Sequence, residues 1–277
     1  MFKHWVVRAN APFKPFEDFE TARWTWMKLM EKFPEALAAV LMPNHVHIIL
    51  PCKDSDELQL SRLGGVMGAV SKRIGTKKLW QPIPTPVEVR DKQHLHRQVR
   101  YIALNPCRKK LCADPLNWYW STYREVMGAT VERQESAARL ARVWGIPLDQ
   151  FRVRFHSYVS GDPSVDVKGT PFPKAHSPGP LAEKPITEIL AASAAALRVE
   201  VSDVKKKGEL RDLFIQMACR HGWMQRALLA EICEMSLRGV YKSLKRPASE
   251  TELGAAELCL GDERLRCGMG VGESARN

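Results

Sequence analysis

Residues 36–52 read Ala36-Leu37-Ala38-Ala39-Val40-Leu41-Met42-Pro43-Asn44-His45-Val46-His47-Ile48-Ile49-Leu50-Pro51-Cys52. Two apolar runs, Ala36 to Met42 and His45 to Cys52, are separated only by the turn signal Pro43-Asn44, so they predict two strands joined as an antiparallel hairpin. Working outward, Phe2 to Val7 is a short aromatic and β-branched run that fits a strand. Phe16 to Phe33, with apolar Phe16, Phe19, Trp24, Met27 and Met30, fits an amphipathic helix. Downstream, Asp56 to Ile74 has helical spacing, Pro82, Pro84 and Pro86 impose an extended segment, and Val87 to Val89 fits a fourth strand. Asp91 is placed to N-cap a helix that runs to about Asn105, where Pro106 is expected to stop it. The order β-α-β-β-α-β followed by a helix predicts an α+β fold with a ferredoxin-like split βαβ antiparallel sheet core. That architecture hosts many unrelated functions, so it leaves function open.

This sheet domain is expected over residues 1–130, with a helical extension at 131–160 in which 133–159 read as two helices. Between Gly161 and Pro185 six prolines and three glycines leave little scope for regular structure, so 161–185 reads as a linker. Residues 186–246 return to helical spacing. Within them, apolar positions on either side of Met235-Ser236 predict two short helices joined by a tight turn, a small all-α helix-turn-helix domain. Its second helix carries Arg238, Lys242, Lys245 and Arg246; a helical bundle that binds protein fits the same spacing. The Glu/Gly-rich tail, 247–277, is expected to be loose.

A chain of 277 residues with 45% apolar and 26% charged residues is ordinary globular composition, which excludes a disordered or collagen-like chain. The excess of 42 Lys and Arg over 31 Asp and Glu, a formal charge of +11, suits an anionic partner such as nucleic acid or an acidic membrane surface. Its distribution is more selective than its size. Residues 62–110 hold twelve Lys and Arg against only Glu88 and Asp91, so nearly all of the excess lies in the segment that carries Tyr101. Arg73, Lys77, Lys78, Arg97, Arg100 and Arg108 are accordingly expected to contact a phosphate backbone, with Arg238 and Lys242 in the C-terminal helices. No apolar stretch approaches the roughly 20 residues of a bilayer span, so no membrane segment is expected. The N-terminus reads as a strand and not a signal peptide. Seven cysteines without a Cys-x-x-Cys pair suit a reducing cytoplasm.

His45-Val46-His47 is the sharpest chemical feature. On a strand, residues two apart share a face, so both imidazoles project together while Val46, Ile48 and Leu50 face the core. Two neutral imidazoles on a rigid strand are two thirds of a divalent-metal site, and the same spacing equally fits a histidine pair that merely ends a hairpin. His94-Leu95-His96 repeats the spacing in a segment read as helical, where positions two apart diverge by about 200°. Those two cannot share a metal and read as surface histidines. The same helix carries Tyr101 and Asn105, four residues apart and so on one face. If it packs across the strand of His45 and His47, Asn105 can supply a third ligand through oxygen and Tyr101 a nucleophile for in-line displacement at a phosphodiester. A half-buried aromatic on an amphipathic helix is the alternative for Tyr101. There is no Gly-x-Ser-x-Gly, no Gly-x-x-x-x-Gly-Lys loop and no His-Glu-x-x-His, and Cys107 and Cys112 lack the paired spacing of a structural zinc site.

Taken together these residues resemble the single-tyrosine HUH transposases, in particular the branch called REP-associated tyrosine transposases (IS200-like). Met42 to Leu50 resembles that family's HUH strand, and Arg100-Tyr101-Ile102-Ala103-Leu104-Asn105-Pro106-Cys107-Arg108 its catalytic-tyrosine helix. Further matches are His4 to Arg8, Leu79-Trp80-Gln81 and Trp118 to Tyr123, in the family's order over roughly residues 2–128. After Trp80-Gln81 this chain departs, with Pro82-Ile83-Pro84-Thr85-Pro86 in place of a basic and aromatic stretch. The resemblance implies an HUH nuclease core that cleaves and rejoins single-stranded DNA through a 5′-phosphotyrosine intermediate, with Tyr101 as nucleophile and His45, His47 and Asn105 as metal ligands. It also implies Mg²⁺ or Mn²⁺ as cofactor, hard ions suited to phosphate oxygens, and single-stranded or hairpin DNA as partner. The protein is expected to act as a monomer or homodimer. The C-terminal segment resembles the helical DNA-binding domain of bacterial replication initiators, attached to some members of this branch. A DNA strand-transferase is therefore the leading expectation. A non-catalytic, domesticated DNA-binding regulator that uses the helix-turn-helix is the runner-up, and a zinc-dependent RNA or nucleotide enzyme a third class.

Overall fold

The computed structural model describes residues 1–132, 135–165, 167, 170–206 and 208–267. The chain opens with β1 (Phe2–Arg8), α1 (Phe19–Lys32), β2 (Ala38–Met42) and β3 (His45–Pro51). It continues with α2 (Asp56–Ile74), β4 (Val87–Val89) and α3 (Lys92–Arg108). The strands form one antiparallel sheet in the order β2-β3-β1-β4, the split βαβ arrangement expected from the order of elements. Helix starts follow the capping residues: Asp18 accepts from the Thr21 amide, Ser55 from Leu58 and Asp91 from His94. Gly75 ends α2 in the left-handed region at φ 73°, a conformation that costs glycine nothing.

Strand alternation gives the sheet two unlike faces. Trp5, Val7, Val46, Ile48 and Leu50 point to one face and are all buried. Helix α2 lies on this face, where Trp5 Nε1 donates to Gln59 Oε1 at 2.8 Å, and Arg73 of α2 stacks over Trp24 of α1. The other face carries His4, Val6 and Arg8 of β1 and His45, His47 and Ile49 of β3. The register places Val6 opposite His47 and Arg8 opposite His45, and α3 crosses here. The outer edge of β2 is occupied by residues 118–122: the Leu41 amide donates to the Trp120 carbonyl at 2.9 Å, and Trp118 Nε1 donates to the Leu41 carbonyl at 2.9 Å. An edge covered in this way does not offer a template for another strand.

The expected stop at Pro106 does not occur, because α3 continues through it to Arg108. A proline two residues from a helix end removes only one backbone donor. The chain then closes normally, with the Lys109 amide on the Asn105 carbonyl and the Leu111 amide on the Pro106 carbonyl. Helix α4 (Thr122–Met127) precedes the two helices expected within 133–159, α5 (Glu135–Trp144) and α6 (Leu148–Ser160).

Met1–Tyr123 and Glu135–Thr170 make one compact unit, and Arg124–Gln134 and Pro171–Gly268 a second. The described residues of 161–185 form no helix or strand. The second unit is helical, with α7 (Ile186–Leu197), α8 (Val201–Val204), α9 (Glu209–Arg220), α10 (Arg226–Ile232) and α11 (Leu237–Leu244). The tail expected to be loose is ordered in its first part, as α12 (Glu250–Gly261) and α13 (Glu263–Arg266); residues 268–277 lie outside the described set. Two features hidden in its Glu/Gly-rich composition account for this. Ser249 and Glu252 form a capping box, and Leu253, Ala256, Cys259 and Leu260 are a buried helical stripe. Within this unit Arg198 Nη1 and Glu125 Oε1 form a buried ion pair at 3.0 Å. No helix is long and apolar enough to cross a membrane among the described residues.

Candidate active site

Strand periodicity places His45 and His47 side by side, with ring centroids 4.9 Å apart. A third imidazole joins them from β1, since His4 Nε2 lies 3.0 Å from His47 Nδ1 with centroids 5.1 Å apart. His45 Nδ1 lies 2.7 Å from Asn44 Oδ1, an oxygen that can only accept, so His45 carries its proton on Nδ1 and leaves the Nε2 lone pair free. With His47 Nδ1 as donor to His4, the Nε2 lone pair of His47 is free as well. All three rings are buried. Burial pushes His4 and His45 down to about 4 and His47 to about 2; nearby Arg8 adds to the effect at His45 and His47. At neutral pH the cluster is therefore uncharged, the form in which imidazole binds a metal.

Helix α3 runs along this row of histidines. His94 and Gln98 act on His4, the Tyr101 ring stands edge-on to His47 at 5.7 Å between centroids, and Lys109 is close enough to oppose charging of His45. Positions 94, 98, 101, 105 and 109 form one stripe of a helix, so Asn105 falls between the levels of His47 and His45. Asn105 is 1% exposed, and its Nδ2 has no hydrogen-bond partner. Leaving a buried amide unsatisfied costs about 1–3 kcal/mol, and a half turn of the carboxamide would present oxygen in place of nitrogen. Two free imidazole nitrogens and one unengaged carboxamide oxygen are a three-donor set that fits a divalent cation with positions left open for phosphate oxygens. Among the described residues no group of three or more His, Cys, Asp or Glu is arranged to hold a metal.

The basic residues divide in space. Arg108 lies over the Tyr101 ring, its Cζ 5.3 Å from the centroid, and Arg100 over Tyr158 at 4.4 Å. Arg97, one turn before Tyr101, is exposed. Lys77 and Lys78 are exposed in the loop that runs beside the Arg8 end of β1: Asn10 Nδ2 donates to the Lys78 carbonyl, and the Gln81 amide to the Arg8 carbonyl. They lie at the end of the sheet where His45 lies. Arg73 does not join them, because it stacks on Trp24 at 5.5 Å on the opposite face of the sheet. The charge that is continuous in sequence around Tyr101 is thus split between two faces, since α2 and α3 pack on opposite sides. Arg238 and Lys242 are exposed on α11, in the second unit.

The other His-x-His pair diverges, as its helical position requires. His96 stacks on Trp144 with centroids 3.9 Å apart, and His94 Nδ1 accepts from the Arg90 amide. Both are half-buried and not surface residues as expected. Two residues of the site were not assigned from the sequence. His4 could have been found, because it shares the alternating face of β1 with Val6 and Arg8. Asp162, whose carboxylate forms ion pairs with Arg100 Nε and Arg108 Nη2 at 3.0 Å each, lies in a segment whose composition says only linker.

No family model matches the chain, and no curated protein matches it. A solved structure of a REP-associated tyrosine transposase bound to a REP hairpin is similar at 25% identity, over 44% of this chain and 75% of that one, with a TM-score of 0.38.

Proposed function

We propose that the chain is a transposase-like enzyme that cleaves and rejoins single-stranded DNA, at hairpin-forming repeats, with Tyr101 as the nucleophile. One observation carries this reading: the buried neutral pair His45 and His47 and the unsatisfied carboxamide of Asn105 lie on the sheet face crossed by the helix that bears Tyr101. The resemblance of residues 42–50 and 100–108 to the HUH strand and tyrosine helix supports the same assignment.

Tyr101 Oη attacks the phosphorus of a phosphodiester in line with the departing oxygen. The P–O3′ bond breaks, one strand leaves with a 3′-hydroxyl, and the other stays attached as a 5′-phosphotyrosine. Attack by a 3′-hydroxyl on that linkage reverses the step and rejoins DNA. His45, His47 and Asn105 would hold Mg²⁺ or Mn²⁺, which when bound offsets the negative charge that develops on the phosphate. His4 fixes the ring of His47 through the Nε2 to Nδ1 contact, the second layer that such ligands require. Arg108, Lys109 and Arg8 surround the position with positive charge and favour a phosphate there.

Incubation of the full chain with end-labelled hairpin oligonucleotides and Mn²⁺ tests the reading. A covalent protein–DNA adduct that Tyr101→Phe abolishes is expected. Binding that survives Tyr101→Phe and His45→Ala with no nicked product would instead identify a regulator that acts through α10 and α11.

A further inference from the structure

We infer that Asp162 is a positioning residue for strand cleavage: it holds Arg100 and Arg108 together beside Tyr101 so that both guanidinium groups meet the scissile phosphate. The inference rests on the strand-cleavage reading above. Asp162 lies just beyond α6, with its side chain only 4% exposed. Its Oδ2 accepts from Arg108 Nη2 and forms an ion pair with Arg100 Nε, each at 3.0 Å. Its Oδ1 is held in turn by the Ser164 amide at 2.9 Å and the Ser164 hydroxyl at 2.5 Å, so the carboxylate cannot rotate away without breaking three hydrogen bonds and the ion pair with Arg100. Each arginine also lies over an aromatic ring, Arg100 over Tyr158 and Arg108 over Tyr101.

Three features make this more than a surface ion pair. The carboxylate is buried and the arginines only partly so, and a pair of that kind is screened far less than one in open water. One carboxylate between two guanidinium groups leaves a net positive charge, which attracts phosphate. A guanidinium has five N–H donors in a fixed fork, and Asp162 engages at most one on each arginine, so the remaining donors stay available to a ligand. Arg100 and Arg108 are one residue before and seven after the nucleophile on the same helix, and their long side chains would otherwise repel one another and sample many rotamers. Fixing them in advance removes that entropy cost from the chemical step, so the effect belongs on the rate of cleavage more than on DNA affinity.

The test compares wild type, Asp162→Asn, Asp162→Glu and Arg100→Gln/Arg108→Gln in the full chain. The single-turnover rate of adduct formation is measured on a hairpin that wild type cleaves, with the Kd for the same hairpin measured in EDTA. The inference predicts that Asp162→Asn slows adduct formation at least about tenfold while Kd changes less than about threefold, and that Asp162→Glu recovers most of the rate. It further predicts that Asp162→Asn adds nothing when both arginines are already glutamine, because it acts through them. An unchanged or raised rate in a folded Asp162→Asn, or an equal loss in the double-glutamine background, overturns it. Should Asp162→Asn not fold, the Arg100→Gln/Arg108→Gln variant decides: a rate within about twofold of wild type refutes the role. If wild type forms no adduct on any hairpin, strand cleavage itself fails and the inference falls with it, an outcome distinct from an adduct that is indifferent to Asp162.

Discussion

The two faces of the one sheet are buried to nearly the same depth and built from opposite chemistry. On one, Trp5, Val7, Val46, Ile48 and Leu50 are at most 1% exposed, and the single polar atom among them, Trp5 Nε1, is satisfied by Gln59. On the other, alternate residues of the same two strands put His4, His45 and His47 at 5–6% exposure beneath a helix whose Asn105 has an unpartnered amide. Apolar burial adds about 25 cal/mol per Å² to stability, whereas buried imidazoles and an orphaned amide subtract from it. The histidines and the orphaned amide thus weaken a face whose other residues, such as Ile49, are buried and apolar. A one-residue step along a strand separates the two chemistries.

The contrast gives an ordered set of expectations. The largest lies on the apolar face: Trp5→Ala should lower the free energy of unfolding by about 3–5 kcal/mol, read from chemical denaturation, and a loss below about 1 kcal/mol would show that this face is not the core. Next, His47→Ala should cost about 10²–10³ in the rate of strand cleavage, some 3–4 kcal/mol on the barrier, while unfolding shifts by less than about 1.5 kcal/mol. A matching loss of stability would make the histidines structural. A third concerns pH. The folded-state values of His4, His45 and His47 are pushed below the ordinary 6.5, to about 4, 4 and 2, so the unfolded chain binds more protons as pH falls. Stability is complete above about pH 6.5 and is lost as pH drops toward 4, by at most about 1.4 kcal/mol per pH unit for each histidine. His4→Gln should flatten that slope by one titration, and an unaltered slope would mean that His4 does not titrate in this window. The smallest effect lies away from the sheet. Arg238→Ala and Lys242→Ala on α11 should each reduce the salt dependence of duplex DNA binding by about one unit in log–log slope, with cleavage of short hairpins unchanged within about twofold.

Much of this site could be read from the chain because periodicity is a geometric rule. The same His-x-His spacing brings imidazoles together at His45 and His47 on a strand and separates them at His94 and His96 on a helix, and both outcomes followed from the element alone. The four-residue step from Tyr101 to Asn105 placed both on the sheet-facing side of α3 for the same reason. What sequence could not convey was packing between distant segments. His4 joins His47 only through strand pairing, and Asp162 reaches Arg100 and Arg108 from beyond α6. The basic run at 62–110 is continuous in sequence and divided in space, because α2 carries Arg73 to the opposite face. Pro106 misled because proline disfavours the helix interior far more than the last turn. In the tail, the Glu/Gly-rich composition conceals the buried stripe of α12.

Mapping the covalent product shows whether Tyr101 is the nucleophile. The full chain is incubated with labelled hairpin DNA and Mn²⁺, treated with nuclease and trypsin, and searched by mass spectrometry for a nucleotide-bearing peptide. A 5′-phosphotyrosine on peptide 101–108, carried by Tyr101 and absent from Tyr101→Phe, is expected. An adduct on any other residue, or none across a panel of hairpins, would contradict it.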